Sequence, residues 1–121
     1  MPDSRIVKML DEMSRLSADI RDEKALCVNA LSIDRQECAR RLDQSTRLIN
    51  LIHLATIHLV RDGAANYDAH SRRAVTDDAD DAARAVRHLL NDGVAAEVRG
   101  LAERALRLAG LVLGESVVKA A

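Results

Sequence analysis

The sequence predicts an all-α protein, an antiparallel four-helix bundle that opens on a long N-terminal helical hairpin. Three observations carry that expectation. Apolar residues recur at steps of three, four and seven along most of the chain, the spacing that collects them on one side of a helix. Proline occurs once, at Pro2, and four of the five glycines lie at or after Gly93, so long helices run uninterrupted through the first half. Tyr67 is the one aromatic residue, which leaves a core of Leu, Ala, Val, Ile and Met, a set that taken together favours helix over sheet.

A first helix is expected from about residue 4 to about residue 31, with Ile6, Met9, Leu10, Met13, Leu16, Ile20, Cys27, Val28 and Leu31 on one stripe and Asp11, Glu12, Arg15, Asp19 and Asp22 off it. Ser32 or Asp34 can cap a second helix and close a tight hairpin. That second helix is expected from about residue 34 to about residue 61, stopping at Arg61-Asp62-Gly63, where glycine can take the left-handed cap conformation. Plotted at 100° per residue, Cys38, Leu42, Ser45, Ile49, Ile52, Thr56, Leu59 and Val60 form its core face. Leu51, Leu54 and His58 fall nearly opposite, beside Arg47, so the second half of the helix is apolar on two sides. Such a helix is either central or buried against a partner.

The stretch AANYDAHSRRAVT after Gly63 has weak periodicity, compatible with a short helix, a loop or a mixture. Thr76 is the expected cap of a third helix, with Asp77, Asp78, Asp80 and Asp81 at its start and Arg84, Arg87 and His88 at its end, complementing the helix dipole. Its buried stripe is Ala79, Ala82, Ala83, Val86, Leu89 and Leu90, small enough to imply close approach. After Asn91-Asp92-Gly93 a fourth helix follows from Val94, with Val98, Leu101, Ala105, Leu108 and Val112 on one face. Four amphipathic helices joined by short connections make a bundle.

Length and composition bound the function. The 121 residues suit one helical domain, residues 1–121, and 48% hydrophobic with 31% charged residues is a balance that folds around a core. A net charge of −1 supplies no positive field to gather nucleic acid, which argues against a nucleic-acid partner. Arg outnumbers Lys by 15 to 3 and Ala is abundant, a composition like that of GC-rich bacterial coding sequence. No segment has the pattern of a signal peptide or the ~20 apolar residues of a membrane span, so the expectation is a cytoplasmic protein with no membrane partner.

Chemistry-bearing patterns are few. Glu-x-x-His, Cys-x-x-Cys and His-Glu-x-x-His are absent, and His53 and His58 lie about 140° apart around a helix, so no metal site or cofactor is implied. The glycines never take a phosphate-loop spacing, and the chain reads as a non-enzyme. Cys27 and Cys38 lie symmetrically about the expected hairpin turn, on the inner faces of their helices, and form a possible thiol pair; two reduced buried thiols suit a cytosolic protein.

The remaining signal is the run LINLIHLATIHLV, residues 48 to 60. An apolar strip on the side away from the core face points to a second buried surface. The expected function is therefore protein–protein interaction, as an adaptor or assembly subunit that self-associates as a homodimer or larger assembly, with Arg47, Leu51, Leu54 and His58 at the interface. The alternative is phosphotransfer. His58-Leu-Val-Arg61-Asp62-Gly63 looks similar to the His-x-x-Lys-Gly pattern of helical phosphotransfer modules, with Arg61 in the basic place and Asp62 displacing the glycine by one. The resemblance implies His58 as phosphoacceptor.

Overall fold

The computed structural model describes residues 4–29, 35–62, 64–92 and 94–114, apart from the side chains of 26–29. Within them the chain forms α1 (Ser4–Asn29), α2 (Arg35–Arg61), α3 (Ala69–Asn91) and α4 (Ala96–Leu113). Among the described residues there is no strand, and no helix is long and apolar enough to cross a membrane. The expected caps at Ser32 and Asp34, the glycine stops at Gly63 and Gly93, and the Cys27 thiol lie outside the described residues.

Cross-helix contacts fix the directions. Thr56 of α2 lies against Met13 of α1, and Arg41 faces Glu23, so these two helices run antiparallel. Arg104 of α4 pairs with Asp19 of α1 at 2.8 Å, and Arg99 of α4 donates to the Leu90 carbonyl of α3 at 2.9 Å. The second contact also satisfies one of the carbonyls that α3 leaves without a partner in its last turn. The starts of α1 and α3 and the ends of α2 and α4 therefore share one end of the bundle.

α2 touches all three other helices, and α4 touches both α1 and α3, whereas α1 and α3 do not touch. The bundle is thus flattened, with α2 and α4 approaching across its short diagonal. Small residues permit this: Ala55 of α2 and Ala102, Ala105 and Ala109 of α4 are fully or almost fully buried. Around them lie Met13, Leu16, Ile20, Leu48, Ile52, Val86 and Leu108.

Two expectations are corrected here. The core face of α2 is wider than one stripe and centred elsewhere: Leu48, Leu51, Ile52 and Ala55 are buried, Ile49 and Leu59 are half-buried, and Val60 is 61% exposed. The sequence plot found the side facing α1 and took the side facing α3 and α4 for an outer surface. The third helix begins at Ala69, seven residues before the expected cap Thr76, whose hydroxyl instead donates to the Arg73 carbonyl inside the helix. The true cap is Asp68, in extended conformation, whose carboxylate accepts from the Ser71 amide at 2.7 Å. That bond also holds the Asp68 carboxyl below its ordinary pKa.

Truncation and filling test this packing in opposite directions. Leu51→Ala removes a side chain with no exposed surface and should cost about 2 to 5 kcal/mol of unfolding free energy in urea titration. Gly100 lies exposed within α4, where a methyl group meets nothing within 4 Å. Gly100→Ala should raise stability by about 0.5 to 1 kcal/mol, read as a higher melting temperature.

Candidate functional site

The side chain that sequence reasoning singled out most sharply, His58, sits in the last turn of α2 at the corner leading to α3. The corner is built from local bonds. The Asp62 amide donates to the His58 carbonyl at 2.9 Å, the Ala64 amide to the Arg61 carbonyl at 2.8 Å, and the Tyr67 amide to the Ala64 carbonyl at 3.1 Å. These turns swing Tyr67 back over the end of α2. Its ring is buried, 6% exposed, and its hydroxyl lies 2.7 Å from His58 Nδ1. The two rings meet edge to face, 5.6 Å between centroids and 72° between planes, the arrangement that ring quadrupoles favour.

Arg72, on the first full turn of α3, places its guanidinium 4.7 Å from the Tyr67 ring centre and donates to Asp62 at 2.9 Å. Counted from the Asp68 cap, Tyr67 immediately precedes the cap and Arg72 stands at the fourth helical position. Those are the two places where a hydrophobic staple closes a helix start. Here a cation over an aromatic face serves instead of two apolar side chains.

The electrostatics follow from this enclosure. Burial depresses the His58 ring below its usual pKa of 6.5; Asp62 opposes that shift and Arg72 reinforces it. Burial likewise raises the Tyr67 hydroxyl above 10.0. Near neutral pH the pair is thus an uncharged imidazole and an uncharged phenol sharing one hydrogen bond. With the ring proton on Nε2, the hydroxyl donates to Nδ1; with the proton on Nδ1, the ring donates to the phenol oxygen.

The other expected site residues are dispersed. Leu51 is fully buried within the chain's own core, and Leu54 is half-buried beside Ala82 and Ala85 of α3. Their outer strip is therefore covered by α3 and α4 of the same molecule, which corrects the expectation that a partner covers it. Arg47 pairs with Asp43 one turn earlier at 3.0 Å and is not the cation beside His58; that cation is Arg72. Cys38 is half-buried near the hairpin tip, where Glu37 accepts from Arg40 and Arg41 and is held below its ordinary pKa by those bonds. Whether Cys38 meets Cys27 lies outside the described residues. His53 is exposed.

Sequence reasoning did not connect Tyr67, Asp68 and Arg72 with His58. The available signal was the dipeptide Tyr67-Asp68 followed by Ser71: an aromatic, then a cap residue, then a small polar residue three further on. No family model, curated protein or solved structure matches the chain. Among the described residues, no three His, Cys, Asp or Glu side chains gather where they could hold a metal ion.

The depressed His58 pKa has a stability consequence. The unfolded chain takes up this proton near the ordinary value of 6.5 while the folded chain resists it, so between the two the unfolded state holds more protons. The contribution is complete above about pH 7 and is lost as pH falls through the folded-state value. Unfolding free energy measured in urea should decline over that interval in the wild type, and His58→Gln should flatten the decline. Tyr67→Phe, which strands the Nδ1 partner, should cost about 1 to 3 kcal/mol at neutral pH.

Proposed function

We propose that this protein is a non-enzymatic assembly subunit that works by protein contact, with a second copy of itself as partner. The supporting observation is where exposed apolar side chains lie. The large hydrophobic residues most exposed among the described ones are Ile6 (37%), Val7 (49%), Val60 (61%) and Leu111 (62%). Ile6 and Val7 are in the first turn of α1, Val60 in the last turn of α2 and Leu111 in the last turn of α4, so all four belong to the same end of the bundle. The opposite end carries a cluster of ion pairs among Glu23, Glu37, Arg40 and Arg41, whereas the apolar end holds the Arg72–Asp62 pair at its α2–α3 corner. Apolar side chains concentrated in one region mark a contact surface. A net charge of −1 leaves little repulsion between two copies. A self-complementary contact about a two-fold axis is the simplest way to cover such an end.

One observation favours the second reading, phosphotransfer through His58: burial keeps the ring neutral and therefore nucleophilic. Nδ1 is engaged with Tyr67, so Nε2 is the nitrogen that would accept the phosphoryl group.

Sedimentation velocity from about 1 to about 100 µM tests the first reading, since mass action drives assembly over that range. The wild type should associate, and Val60→Asp combined with Leu111→Asp should weaken association by about tenfold or more with helicity unchanged, because each places an unpaired carboxylate in the contact. A wild type that stays monomeric throughout overturns it. Acid-labile labelling of wild type but not of His58→Gln by a small phosphodonor would establish the second reading instead.

A further inference from the structure

A groove runs between α1 and α2, lined by apolar and polar side chains of both helices. Leu10 and Met13 of α1 and Ile49 and Ile52 of α2 form its floor. Its rim is polar, with Ser14, Ser17 and Arg21 on one side and His53 on the other. Among the described residues no carboxylate lines it. Many of the described arginines lie against an acid or a carbonyl, as Arg15, Arg47, Arg84, Arg99 and Arg104 do. Arg21 makes no ion pair or hydrogen bond among the described residues and faces this groove. His53 is exposed and likewise unengaged.

Size and shape narrow the ligand. The groove holds about 270 Å³, just below the range of drug-sized sites. From Leu10 to Arg21 the rise of the helix gives it a length of roughly 16 Å. The apolar floor, which covers part of that length, calls for a short hydrocarbon chain, and one uncompensated guanidinium at the groove's end calls for a single anionic head, best a planar carboxylate that can take two parallel N–H donors. A multiply charged phosphate finds no second cation here, and a cationic amphiphile meets Arg21 with like charge.

We propose that this groove binds a single-chain organic acid, with its carboxylate on Arg21 and its chain lying along Leu10, Met13, Ile49 and Ile52. His53 and the two serine hydroxyls then offer hydrogen bonds to the head or to a substituent near it. This binding is independent of the apolar end that brings copies together, because none of Ile6, Val7, Val60 and Leu111 lines the groove.

Amide chemical shifts of the nitrogen-labelled protein, titrated with octanoate below its micellar concentration, test the proposal. Shifts should be confined to residues lining the groove, and acetate, which has the head without the chain, should give none. Decanoate should bind several-fold more tightly than octanoate, each methylene withdrawn from water being worth up to about fourfold. Arg21 is exposed, so Arg21→Ala should leave the fold intact and weaken octanoate binding about twofold to fivefold, the value of a solvent-exposed charge pair. The proposal is overturned if millimolar octanoate shifts no groove amide, if octylammonium shifts the same amides equally, or if Arg21→Ala binds as the wild type does.

Discussion

The burial of one broad face of α2 is the constraint on which the rest of the structure depends. Without Phe or Trp, the core has few large side chains, and α2 supplies Leu48, Leu51 and Ile52 while α3 and α4 answer largely with alanines. A buried alanine removes little apolar surface from water compared with a leucine. The alanines act by letting backbones approach, so that the large side chains of α2 reach across to α1, α3 and α4 together. A rotation of α2 by one residue would expose Leu51 or Leu48 and bring His53 or Asn50 inward, at a cost no neighbour could offset.

Beside that core the corner at His58 is a smaller contribution of a different kind. An edge-to-face ring pair, a cation over an aromatic face and a helix cap are each worth about 0.5 to 1.5 kcal/mol. The exposed Arg72–Asp62 pair adds at most about 1 kcal/mol. Truncating one buried leucine costs more than any of them. What the corner supplies is direction: Asp68 starts α3, and Tyr67, tied to His58 below and covered by Arg72 above, sets where α3 departs from α2. The two neutral rings make that geometry sensitive to acid in a way that leucine packing is not.

The surface divides in the same manner. Ion pairs within a single helix, such as Arg15–Asp11 and Arg84–Asp80, are exposed and contribute little beyond solvation. Those that cross helices, Arg104–Asp19 and Arg41–Glu23, tie α1 to its two neighbours along the edge where α3 gives it no support. α1 is thus packed on two sides only, and the groove against α2 and the exposed Ile6 and Val7 both lie on it.

The helical class, the four elements and most of the α3 and α4 stripes follow from the sequence alone, because the period of 3.6 residues and the positions of the turns are local properties. Ala79, Ala82, Ala83, Val86, Val98, Ala105 and Leu108 were legible for that reason, and so was the two-sided apolar character of α2. Whether its second side met a partner or the chain's own helices was not legible. Periodicity counts the faces that need covering and is silent on what covers them. Only the packing of α3 and α4 placed Leu51 and Leu54 inside and left Val60 out. His58 shows the same division. Its place near the end of α2 is fixed by spacing, but its partner is nine residues away across a turn, and the bond to Tyr67 exists only because the Asp68 cap and the succession of turns fold the chain back on itself. Local sequence thus determined which residues could be buried or bonded, and tertiary packing decided which of them met.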